Sequence, residues 1–133
     1  MSFKNELQDI KFKSNVEATS PEFVSSMREW ILKELIVIIK SECKKWAKFN
    51  NSEVYLEFNP YAMSLLHYKI RIFCFEHKHI YTWYNVNTES NDFITQIICD
   101  ENAKNAFISL LEEILGINVK SIGYQTFILS WRE

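Results

Sequence analysis

From Leu66 to Glu76 the chain alternates with a period of two, and it is apolar on both sides of that alternation. Leu66, Tyr68, Ile70, Ile72 and Cys74 fall on one side; His67, Lys69, Arg71, Phe73 and Phe75 fall on the other. A two-residue period belongs to a β-strand, whose successive side chains point to opposite faces of a sheet. The run from His79 to Val86 repeats the pattern, with Tyr81 and Trp83 on one side and Ile80, Thr82 and Tyr84 on the other. Glu76-His77-Lys78 reads as the tight turn between the two, which makes them antiparallel neighbours. An antiparallel sheet with helices on one face normally turns polar residues to the other. This one needs cover on both faces, or it exposes aromatic rings.

The rest of the chain supplies the cover. Ser20-Pro21-Glu22 is a helix start: a capping hydroxyl, a proline where the missing N–H is harmless, and an acid at the positive end of the dipole. The helix is expected to run to about Phe49. Its apolar stripe (Phe23, Met27, Trp30, Ile31, Leu35, Ile38, Ile39, Trp46) is widened by Leu32, Ile36, Val37 and Cys43, which predicts contact on more than one side, from the N-terminal segment or a partner. A first strand follows from Glu53 to Phe58, with Val54, Leu56 and Phe58 on one face and Asn59-Pro60 ending it. Asn87 to Asn91 reads as a polar loop, and Asp92 to Cys99 fits either a helix or a short strand. The apolar phase breaks at Asp100, a good N-cap for a second secure helix from Glu101 to Leu115, closed by Gly116. Ile117 to Trp131 is strand-like, with Gly123 as a bulge, bend or turn.

The fold class is therefore α+β: a single domain over residues 1–133, with a long N-terminal helix, an antiparallel sheet of about four to five strands, and a second helix before a C-terminal strand. The order is α-β-β-β-(short element)-α-β. Residues 1–19 are expected to be frayed or loosely docked, with Phe3, Leu7 and Ile10 at helical spacing.

Composition removes several function classes. With 2 glycines in 133 residues and no glycine-rich phosphate loop, nucleotide cradling of the usual kind has no sequence basis. A formal charge of −2 gives no overall field for a polyanion. Cys43, Cys74 and Cys99 form no CxxC pair and sit in apolar contexts, as buried thiols in a reducing compartment do. The start, Met1-Ser2-Phe3-Lys4-Asn5-Glu6, lacks a signal-peptide core, and no apolar run approaches the length of a membrane span. A cytoplasmic protein without a membrane partner is expected.

Three functional readings remain. The first is a non-enzymatic protein-binding module, of the kind found in small bacterial or phage inhibitors and immunity-type proteins. It would bind another protein or a second copy of itself through His67, Lys69, Arg71, Phe73, Phe75, Tyr81 and Trp83, residue types enriched at interfaces. The second starts from Lys69-x-Arg71-x-Phe73-x-Phe75, whose alternation resembles the base-stacking strand of an RNA-recognition motif, with Ile72 and Cys74 where that motif has glycines. It implies a binder of single-stranded RNA or DNA. The third is a small nuclease or hydrolase using His67, His77 or His79, with Arg71 and Glu57 as assistants to His67. Glu76-His77-Lys78-His79 holds metal-ligand types, but it lies at a turn and has no third ligand at a recognisable spacing. No metal site, no cofactor and no catalytic residues are assigned.

Overall fold

The structure is a computed structural model that describes residues 2–8, 20–61, 64–78 and 80–132, without the side chains of 61 and 64–67. Residues 3–8 are helical and exposed, in keeping with the spacing of Phe3 and Leu7; Ile10 and the segment that would dock lie outside the described residues.

The long helix starts where the capping signal places it. The Phe23 N–H donates to Ser20 Oγ at 3.1 Å, and Pro21 occupies the first turn. Helix α1 (Pro21–Trp30) passes through a π turn (Ile31–Leu35) into α2 (Ile36–Lys48). The π turn explains the wide apolar stripe. Met27, Ile31, Leu35 and Ile39 are all buried and stand four residues apart, a spacing that overshoots one α-helical turn by about 40° per step. In the π turn the Ile36 N–H donates to the Ile31 carbonyl, five residues back. That extra residue takes up the drift and returns the row to the sheet. The width of the stripe is thus a change of phase along one buried face, and Leu32 and Val37, expected to widen the contact, are exposed.

The sheet has five antiparallel strands: β1 (Glu53–Tyr61), β2 (Ser64–Phe73), β3 (Tyr81–Asn85), β4 (Asn118–Ser121) and β5 (Thr126–Ser130), in spatial order β3-β2-β1-β5-β4. Pro60 does not end the first strand; it pairs with Tyr68 ahead of a bulge at Tyr61. The Phe58 N–H donates toward β5, to the Gln125 carbonyl at 2.9 Å. By the two-residue period the missing N–H of Pro60 faces the same way. There the pairing with β5 has already stopped at Glu57, so no ladder bond is lost. Glu76-His77-Lys78 is a turn as expected, beginning with one turn of 3-10 helix (Phe75–His77).

Residues 92–99 are helical, and their helix, α3 (Thr88–Cys99), begins inside the stretch expected to be a loop. Asn87 is its cap, accepting from the Ser90 N–H at 2.9 Å. The polar residues that suggested a loop are bonded within the fold. Ser90 Oγ accepts from Trp30 Nε1 at 2.7 Å, and Asn91 Oδ1 accepts from the Tyr68 N–H at 2.8 Å. The Tyr68 N–H lies just past the end of β3, so a side chain replaces the missing strand partner. Asp100 then caps α4 (Glu101–Leu115), accepting from the Asn102 and Ala103 N–H groups, and Gly116 closes it at φ 68°. Gly123, at φ 132°, sits in the bend between β4 and β5, a conformation that suits glycine.

The helices pack on one face of the sheet. Val54, Leu56, Phe58, Ile70, Ile72, Val119, Phe127 and Leu129 point into that layer and join Trp30, Ile39, Ile94, Ile97, Phe107 and Leu111 in a single core. At its centre Phe107 lies 5.8 Å from Phe58, 5.1 Å from Phe127 and 6.2 Å from Trp30, ring centre to ring centre. Helices α1 to α4 all contribute side chains to this core and so lie on the same face of the sheet.

Candidate functional site

Cross-strand pairing arranges the open face in rows. Tyr81, Phe73, Tyr55, Ile128 and Lys120 are successive partners across the sheet. Trp83, Arg71, Glu57 and Thr126 form the next row, and Asn85, Lys69 and Asn59 the one after. The alternation in β2 thus places Lys69, Arg71 and Phe73 together, as expected, and β3 adds Tyr81 and Trp83 beside them. Phe75 lies past the end of β2 but still meets the face, its ring 5.7 Å from that of Tyr55. The side chain of His67 and all of His79 lie outside the described residues.

Arg71 organises this surface. Its guanidinium carbon is 4.4 Å from the centre of the Phe73 ring, 5.4 Å from Tyr81 and 5.9 Å from Trp83. Its Nη2 lies 3.0 Å from Glu57 Oε1. Glu57 also accepts from the Asn59 amide, and its second oxygen accepts from Thr126 Oγ1 at 3.3 Å. A cation over an aromatic face contributes about 0.5–2 kcal/mol, depending on desolvation. Arg71 therefore lies against three rings while its charge is balanced by a neighbour on the next strand. Burial, then the charges of Glu53 and Cys74, raises the pKa of the Tyr55 phenol.

Exposure separates the aromatics. Phe73 is 4% exposed, its ring under Arg71 on one side and tilted against Tyr55 on the other, whereas Phe75 is 53%, Tyr81 44% and Trp83 45% exposed. The Lys78 ammonium stands 4.3 Å from the centre of the Phe75 ring. Tyr55 and Glu57 belong to the surface too. Their alternation against Val54, Leu56 and Phe58 was legible, but the register that sets them beside Phe73 and Arg71 was not.

The remaining candidate chemistry is dispersed. The His77 ring stacks on Trp46 at 5.8 Å and an interplanar angle of 9°, beside a groove of about 380 Å³. Burial, with the Glu42 charge, pushes the Cys43 thiol up to about 11, and a protonated thiol is a poor nucleophile. Cys74 is buried and donates to Asn51 Oδ1, whereas Cys99, expected to be buried, is exposed at the last turn of α3. Glu113 pairs with Arg28 at 2.7 Å, and Glu112 accepts from the Val119 N–H at 3.2 Å, so these adjacent carboxylates have structural partners. Glu42 is an unforeseen buried acid in α2. It accepts from the Tyr84 hydroxyl at 2.7 Å and lies 3.3 Å from Lys45 Nζ. Burial and the Glu42 bond push Tyr84 up to about 12.

Among the described residues no three His, Cys, Asp or Glu side chains gather as a metal site requires, and no helix is long and apolar enough to cross a membrane. No protein-family model, curated protein or solved structure matches the chain.

Proposed function

We propose that this chain is a non-enzymatic protein-binding module whose docking surface is the open face of its sheet. The observation that carries the reading is the set of half-exposed rings, Phe75, Tyr81 and Trp83, on the face opposite helices α1 to α4, with the Arg71 guanidinium 5.4 Å from Tyr81 and 5.9 Å from Trp83. Interface hot spots favour Trp, Tyr and Arg in settings of this kind, because rings and a pre-positioned guanidinium lose little freedom on binding. Lys78 stands against the Phe75 ring, Lys69 and Lys120 lie on the rows of this face with the paired Arg71, and Glu57 is the carboxylate on those rows. The partner that fits is a protein with an apolar centre and an acidic rim, and a stoichiometric inhibitor or immunity-type role is the form of binding proposed.

The nucleic-acid reading depends on Phe73 and Phe75 as paired stacking platforms. Phe73 is buried beneath Arg71, and Arg71 is ion-paired to Glu57, which favours the protein reading.

Photo-crosslinking side chains at Phe75 and Tyr81, with one at the exposed Val37 of α2 as control, test the proposal in the native host. A discrete adduct from the first two positions that resists nuclease and weakens with Arg71→Ala is expected. An adduct lost to nuclease, or equal yields from Val37, would overturn it.

A further inference from the structure

The two edges of the sheet differ. β4 is four residues long, carries Lys120 and ends at the Gly123 bend. Charge and brevity are the usual devices that keep an edge from pairing with another chain. β3 has neither. Tyr81-Thr82-Trp83-Tyr84-Asn85 holds no charge, no proline and no glycine, and consists mainly of residues that favour strands.

The direction of its backbone groups follows from the ladder. The Phe58 N–H points toward β5, so the odd-numbered residues of β1 point to β2. Tyr55, Glu57 and Asn59 then share hydrogen-bonded pairs with Phe73, Arg71 and Lys69. Ile70 and Ile72 therefore face β3 and bond to Tyr84 and Thr82. That leaves the N–H and C=O groups of Tyr81, Trp83 and Asn85 directed outward, and among the described residues nothing pairs with them.

We infer that two copies of the chain pair through β3, antiparallel about a two-fold axis at Trp83, to form one continuous sheet. In that register Trp83 opposes its own copy and Tyr81 opposes Asn85, each pair exchanging both hydrogen bonds. Every outward group of the strand is then satisfied. A phenol and a carboxamide meet across the axis, and no like charges do. A two-fold contact of this kind is self-complementary and closes at two subunits. The pairing leaves the open face uncovered and extends it across the axis, so it goes beyond the docking reading and does not depend on it.

Sedimentation velocity combined with amide hydrogen exchange on the full chain tests the inference. A dimer is expected in which the Trp83 and Asn85 amides exchange at least 100-fold more slowly than free amides, although the monomer's own ladder leaves them unpaired. Trp83→Lys, which sets two ammonium groups across the axis, should give a folded monomer whose amides at 83 and 85 exchange freely. Trp83→Pro, which removes one outward N–H, should weaken the dimer at least tenfold. A monomeric wild type, or a dimer with fast exchange at 83 and 85, would overturn edge pairing. In either case a nuclease-resistant adduct from Phe75 and Tyr81 would still support docking on the face.

Discussion

The two faces of this sheet are built from the same residue types by the same alternation, and they come to different ends. On the helix side, Phe58, Phe107 and Phe127 meet ring against ring and are fully buried. On the other side Tyr55, Phe73, Tyr81 and Trp83 are gathered around a guanidinium and a carboxylate, and the outer two remain half exposed. Aromatic content alone does not distinguish a core from a surface. What distinguishes them is the partner each ring finds across the strand: an apolar residue of a covering helix, or a charged residue that must itself stay near water.

The contrast is open to direct attack. Phe107→Ala removes the ring on which Phe58, Phe127 and Trp30 converge, and should cost about 3–5 kcal/mol in chemical unfolding. An effect below about 1 kcal/mol would mean that this face is not the core. Arg71→Ala leaves Glu57 without its ion-pair partner in a partly buried site. It should cost about 1–2 kcal/mol and raise the fluorescence mobility of Trp83. Tyr84→Phe, where β3 meets α2, removes the bond to Glu42 and should cost about 1 kcal/mol at neutral pH.

Tyr84 also gives the comparison a pH dependence. Its phenol titrates near 10.0 when unfolded and is pushed up to about 12 in the fold. Its contribution is therefore complete below pH 10 and is lost as the pH rises toward 12. Cys43 gives a similar loss between 9.0 and about 11. Unfolding curves of wild type and Tyr84→Phe should thus converge above pH 10, while the Cys43 contribution stays common to both. The smallest effect is expected from Tyr81→Ala on the open face, within about 1 kcal/mol of wild type by thermal unfolding. Equal losses from Tyr81 and Phe107 would erase the distinction between the faces.

Much of the framework was legible because it depends on local signals. Ser20-Pro21, Asp100 and Gly116 each fix a helix end through the backbone groups of one turn, and they act where expected. The places that departed from expectation share a cause: a polar or proline residue whose role is set by a distant partner. Ser90 and Asn91 read as loop residues until Trp30 and the Tyr68 N–H are there to bond them. Pro60 reads as a strand end until the neighbouring strand is seen to stop first. The candidate surface followed the same rule. Arg71, Phe73, Tyr81 and Trp83 could be assigned to a face from alternation alone, but the Arg71–Glu57 pair is a matter of register, which no single strand encodes.

The π turn has a consequence for length variation in this chain. A five-residue loop of backbone hydrogen bonding amounts to one surplus residue carried within a helix, and Leu32, exposed on its outer side, is a residue the core does not use. Removing Leu32 should let the segment close into uninterrupted α-helix while Met27, Trp30, Ile39 and Trp46 keep their places. A deletion of the same size at Val37, just beyond the turn, has no such slack to consume within α2. The helix layer can thus lose a residue at one place without changing its face, and the melting temperatures of the two deletion variants would show where that tolerance lies.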